Sequence, residues 1–186
     1  MLYHVDPNFL MKVGLNLLGA FLISDLRFLI RHKKIYQRAK LLDKFIDFYI
    51  KAKKRVNFPH KVVKNIVCLL FPNARYVGKG AFKTVHHIST RSRELVLEFS
   101  MEKNIKKDFE TYTSLPPSIR NRYFAKIYWS TKYCLLQKYG KKAKVPDDKL
   151  QQLKIVAKKY GLSDVRVANI RKVNGNFKIV DASVSE

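Results

Sequence analysis

Three oxygen-bearing side chains at fixed spacing constrain this chain more than any other feature. Asp164 and Asn169 stand five apart, Asn174-Gly175 marks a tight turn, and the alternating run Phe177-Lys-Ile-Val180 leads into Asp181. Asn-Gly suits a two-residue hairpin, where both central residues need positive φ. The segment therefore reads as a hairpin that ends on Asp181, with Asp164 and Asn169 in the loop before it. Aspartate can accept a hydroxyl proton, and an asparagine with a second aspartate offers hard oxygen ligands for Mg²⁺. Turns and caps also favour Asp and Asn, so the alternative is that all three serve only the turn.

A glycine-rich turn lies well upstream, Gly78-Lys-Gly-Ala-Phe-Lys-Thr-Val85. Without a Cβ, Gly78 and Gly80 let backbone amides approach phosphate oxygens closely. Lys83 stands where a third glycine is usual and adds a positive charge to the loop. Taken alone, the turn reads equally as an ordinary hairpin. Strands are expected on both sides of it, over 75–79 and 84–89. The run Glu94 to Ser100 alternates, with Leu95, Leu97 and Phe99 on one face and Val96 and Glu98 on the other. A short helix is expected from Lys106 to Leu115, ended by Pro116-Pro117. Two further strands follow, Phe124 to Ser130 and Tyr133 to Lys138. After a basic linker, Asp147 or Asp148 caps a helix running to about Tyr160. This order predicts an α+β fold rather than alternating βαβ units.

The first seventy or so residues read as helical. Asp6-Pro7 resembles an N-cap with proline at the first helical position. Leu42, Phe45, Ile46 and Tyr49 recur at helical spacing, with Lys40, Asp43, Lys44, Asp47 and Lys51 on the other faces. A short apolar helix from Val62 to Phe71 precedes Pro72. The run Phe9 to Ile30 is apolar, but Lys12, Asn16, Asp25 and Arg27 interrupt it. No transmembrane span is expected there, and peripheral membrane contact stays open.

Composition narrows the partners. The 186 residues carry a net charge of +24 with 47% hydrophobic residues, which excludes general disorder and predicts attraction to polyanions. Basic residues cluster at Arg31, Lys33, Lys34, Arg38 and Lys40, and again at Lys51, Lys53, Lys54 and Arg55. These clusters form either a solvated face or a grip on nucleic acid, anionic lipid or an acidic protein. Cys68 and Cys134 sit among apolar neighbours and read as reduced core residues, which favours a cytoplasmic protein. His86 and His87 are adjacent in a strand and point to opposite faces, so they form no metal pair.

In this order the motifs resemble the protein-kinase-like superfamily, nearest to the short kinase-like proteins of phages and bacteria with a truncated C-terminal lobe. The resemblance spans about Arg75 to Ser183. It implies a minimal two-lobed kinase-like fold with an N-terminal helical extension. The extension would be residues 1–72 and the core 73–186, with strands over 73–139 and a short catalytic part over 140–186. It also implies ATP and Mg²⁺. Asp164 matches the catalytic aspartate, Asn169 and Asp181 the metal ligands, and Gly78 and Gly80 the phosphate loop, with Val85 following. Backbone groups near Gln137 and Tyr139 would meet the base. Glu110 matches loosely the glutamate that pairs with the phosphate-gripping lysine, but Glu98 stands where that lysine belongs. Leu162-Ser163 replace the family's His-Arg before the catalytic aspartate, and Asp181-Ala-Ser183 replaces its Asp-Phe-Gly. The function implied is Mg²⁺-dependent phosphoryl transfer to a protein hydroxyl. The alternative is a lapsed pseudokinase or a basic adaptor.

Overall fold

The β-branched and aromatic runs between residues 74 and 138 pair into one antiparallel sheet. Its strands are β1 (Ala74–Lys79), β2 (Thr84–Ser89), β3 (Glu94–Phe99), β4 (Ile127–Ser130) and β5 (Cys134–Lys138), in the order β1-β2-β3-β5-β4. The computed structural model describes residues 32–54, 57–80, 82–90, 93–181 and 183–184. The chain divides into two compact units, 1–38 and 39–186. Helix α1 covers residues 32–52, and its part from Ala39 onward belongs to the second unit with all later elements.

The register settles which side chains share a face. Val85 lies opposite Glu98 and Thr84 opposite Phe99, so β3 alternates as expected. Both of its faces are covered, since Leu95 through Phe99 are all buried. Leu95, Leu97 and Phe99 turn toward helix α2 (His60–Leu70). There Phe71 meets Phe99 with ring centres 6.5 Å apart, and His60 bonds the Thr84 hydroxyl at 2.6 Å. Val96 and Glu98 turn to the other face, where helix α3 (Glu102–Ser114) packs against β4 and β5.

Several expectations need correction. On α1 the inward stripe is Ala39, Leu42, Asp43 and Ile46, while Phe45 is 47% exposed. Asp43 was expected on an outer face, yet it is buried because it serves the β4–β5 turn. Its carboxylate accepts bonds from the Thr131 hydroxyl and the backbone N–H groups of Lys132 and Tyr133, each at 3.1 Å. Burial pushes the Asp43 carboxyl up, and these three donors oppose that. Cys134 is buried as expected, and neither cysteine is in a disulfide. Cys68 is exposed, because α2 buries Val63 and Val67 and residue 68 lies off that stripe.

Helix α3 starts one turn earlier than expected. Pro117 does not simply end it: as the first residue of helix α4 (Pro117–Tyr123) it forfeits no helical hydrogen bond. The strand expected from Phe124 begins at Ile127.

The remaining elements form a smaller layer. Helix α5 (Asp147–Lys159) has Asp147 and Asp148 in its first turn and Lys158 and Lys159 in its last, both favourable to the helix dipole. Its Leu153 and Ala157 pack with Leu162, Val165, Ile170 and Ile179, and with Tyr112 of α3, Leu115 just after it and Phe124 just after α4. Strands β7 (Ile170–Val173) and β8 (Asn176–Ile179) close the hairpin at Asn174-Gly175, and both turn residues have positive φ. A pair absent from the sequence reading, β6 (Leu162–Ser163) with β9 (Ser183–Val184), also forms. Among the described residues no helix is long and apolar enough to cross a membrane. The run Phe9 to Ile30, Asp6-Pro7, Arg31 and Arg55 lie outside them.

Candidate active site

Two backbone links bring Asp164, Asn169 and Asp181 to one place, and a side-chain bond ties them to β5. Strand β6 ends at Ser163, directly before Asp164, and its partner Ser183 stands two residues after Asp181. The Val180 N–H donates to the Asn169 carbonyl at 2.9 Å. The buried Gln137 amide donates to the Val180 carbonyl at 3.1 Å, which ties β5 to the residue before Asp181. The short pair β6–β9 thus replaces sequence proximity with backbone geometry.

Asp164 adopts a left-handed backbone, φ 61°, which aspartate tolerates better than most residues. A clasp holds it there. The Asn169 side-chain amide donates to the Asp164 carbonyl at 2.9 Å and to its carboxylate at 3.0 Å, and Arg166 Nε lies 2.9 Å from the other carboxylate oxygen. Both amide protons of Asn169 go to Asp164, so its side-chain oxygen is the atom left to act as a ligand.

Lys83 links the sheet to Asp181. Its ammonium lies 2.9 Å from Asp108, 3.0 Å from Asp181 and 3.4 Å from Glu98. Lys83 lies in the loop just before β2, two residues ahead of Val85, which is the residue opposite Glu98. Burial alone would push the Lys83 ammonium down, but Glu98, Asp181 and Asp108 outweigh it and hold its pKa well above the usual lysine value. Burial pushes the Glu98 and Asp108 carboxyls up, with Lys83 opposing in each case. One ammonium thus faces three carboxylates, leaving an excess of negative charge that a divalent cation would offset.

A cleft of about 620 Å³ runs over these groups, and every residue singled out from the sequence for the site lines it except Gly78 and Glu110. Gly80, Val85, Gln137, Tyr139, Asp164, Asn169 and Asp181 therefore face one space. Its volume is that of a small-molecule pocket.

The glycine loop departs in detail from expectation. The Gly80 N–H donates to the Lys83 carbonyl at 2.9 Å and is spent in the turn. A Cβ at Gly78 would meet nothing within 4 Å, and one at Gly80 only the Lys83 carbonyl at 4.0 Å, so packing does not demand glycine at either position. The Tyr139 N–H donates to Glu94 at 3.1 Å and is likewise spent within the sheet.

Two acidic positions exchange roles. Glu110 faces solvent and lies 3.9 Å from Lys106 one turn away, while Asp108, two residues before it, reaches Lys83. The sequence had shown Lys83 as a loop charge in place of a glycine, not as the partner of Glu98, Asp108 and Asp181. Its signal was the two-residue spacing to Val85 on a strand whose neighbour carries Glu98.

Asn169 and Asp181 are hard oxygen donors suited to Mg²⁺, which commonly takes one or two protein ligands and fills the rest with phosphate and water. Among the described residues no group of three His, Cys, Asp or Glu side chains is arranged to hold a metal ion. Two such donors fit a transiently held metal ion better than a permanent metal centre. No protein-family model matches the chain, and no curated protein matches its sequence.

Proposed function

We propose that this chain is a kinase-like phosphotransferase that moves the γ-phosphoryl group of ATP to a protein hydroxyl with Mg²⁺. The observation that carries the reading is Lys83. A half-buried ammonium within ion-pair distance of Glu98, Asp108 and Asp181 supplies the positive charge that is lost with Glu98 in the lysine's place. The five-stranded antiparallel sheet with α3 between β3 and β4, over the α5 and β7–β8 layer, supports a minimal two-lobed arrangement.

In this reading the nucleotide lies between Val85 and Val96 above and Ala168 and Val180 below, all of which line the cleft. Lys83 leaves part of its carboxylate cage to meet phosphate oxygens. Asn169 and Asp181 would hold Mg²⁺, which supplies charge neutralisation on the phosphates. Asp164 accepts the proton of the acceptor hydroxyl as that oxygen bonds to the γ-phosphorus and the bond to the ADP oxygen breaks. The clasp from Asn169 and Arg166 fixes the carboxylate before substrate arrives, so orientation costs little at the moment of transfer.

Transfer of radiolabelled phosphate from ATP to a generic protein acceptor, or to the chain itself, tests this. Wild type should show Mg²⁺-dependent label, and Asp164→Ala should lose it while still binding nucleotide. Nucleotide binding without transfer in wild type would favour the rival reading, a pseudokinase that serves as a basic adaptor.

A further inference from the structure

A second hollow lies apart from Lys83 and the three carboxylates, between α4, the start of β4, the end of β5 and the β7–β8 hairpin. Its volume is about 490 Å³. Arg93, Arg120, Lys126, Lys138 and Lys178 line it with Tyr128, and no carboxylate is among its described lining residues. The five cations come from five separate stretches of chain, so the fold has gathered them. A run of adjacent lysines on one solvated helix would need no such convergence.

Two of the charges are also partly stripped of water. Lys138 and Lys178 are half-buried, and burial pushes both ammonium groups down. Arg93 pushes Lys138 further down, and Glu94 at the rim partly opposes it. Lys178 donates to the Asn121 carbonyl, and Lys126 stands 5.3 Å from the centre of the Tyr128 ring. For Lys138 and Lys178, ammonium groups partly stripped of water beside other cations, an added anion would be favourable. A phosphate-rich anion offers several acceptor oxygens to such a cluster, through charge-assisted hydrogen bonds.

We infer that this hollow is a binding site for a compact, multiply charged phosphate compound. Its volume falls in the range of small-ligand pockets and is concave, which favours a short oligophosphate over an extended nucleic-acid strand. Lys138 also lines the edge of the cleft over Lys83, but the other four cations do not, so the site does not rest on the reading of the cleft.

Inorganic tripolyphosphate, titrated calorimetrically into the full chain without Mg²⁺, is the probe. Wild type should bind one equivalent. Lys126→Gln with Lys178→Gln should weaken binding about tenfold or more, the loss expected for charge-assisted contacts. Lys126→Glu, at an exposed position, should weaken it in the same direction and guards against misfolding of the double variant. Lys83→Met, which reads the cleft, should leave tripolyphosphate affinity unchanged. No binding by wild type, or binding lost in Lys83→Met and kept in the other variants, would overturn the site. So would a single-stranded oligonucleotide that binds through Lys126 and Lys178 where tripolyphosphate does not.

Discussion

Lys83 Nζ lies 2.9 Å from Asp108 Oδ2, and this ion pair joins the loop between β1 and β2 to helix α3. Lys83→Met leaves Glu98, Asp108 and Asp181 facing one another without a cation. The loss should be about 3 kcal/mol of stability near neutral pH, in the range for a broken buried pair. The folded state then binds protons more tightly than the unfolded chain, because Glu98 and Asp108 are already pushed up by burial. The deficit should therefore shrink as pH falls, which urea unfolding at neutral and mildly acidic pH will show. Adding Glu98→Lys to Lys83→Met returns an ammonium to the same face of the sheet. That double variant should recover nucleotide affinity lost in Lys83→Met alone.

Gly140 marks where β5 leaves the sheet against β7. A Cβ there would stand 2.4 Å from Arg171 Cβ and 2.8 Å from Val173 Cγ2, while Lys141 and Lys172 exchange backbone hydrogen bonds next to it. Gly140→Ala should cost about 1–3 kcal/mol, the usual scale of overpacking. Gly80→Ala, with open space at its Cβ, should leave the denaturation midpoint nearly unchanged.

His86 is fully buried against Phe99 and Tyr76, and neither ring nitrogen has a hydrogen-bond partner among the described residues. Burial pushes its pKa down to about 4, with Lys64 contributing. The unfolded chain takes up this proton first, so stability is complete above about pH 6.5 and is lost as pH falls toward 4. The difference should reach up to about 3 kcal/mol across that window. His86→Leu should flatten that part of the stability profile relative to wild type.

Asp43 shows what the sequence could and could not disclose. Helical spacing placed Leu42 and Ile46 inside correctly, but an aspartate between lysines read as surface. Its three donors come from residues 131–133, some ninety positions away, which no local pattern reports. Asp164, Asn169 and Asp181 were legible because one hairpin carries their spacing. Lys83 and Asp108 were not, because their roles depend on strand register and on where α3 begins. The α+β order and the faces of β3 followed from alternation, whereas β6 and β9 are too short to leave a periodic signal.

Asp43→Ala should therefore destabilise by about 2–4 kcal/mol, since it strands two backbone N–H groups and a hydroxyl. Asp43→Asn keeps an acceptor oxygen and should cost less. Thermal unfolding of both variants checks the order, and nucleotide affinity should be unchanged in whatever fraction is folded.

In the proposed function, the cleft over Lys83 and Asp181 binds ATP with Mg²⁺. Calorimetric titration of ATP into the purified chain, with and without Mg²⁺, tests it most directly. Wild type should bind one ATP, and more tightly with Mg²⁺. Asp181→Ala should lose the Mg²⁺-dependent gain, and Asp164→Ala should keep it. Absence of any Mg²⁺-dependent binding in wild type, or an Asp181→Ala variant that binds Mg²⁺-ATP as wild type does, would contradict the account.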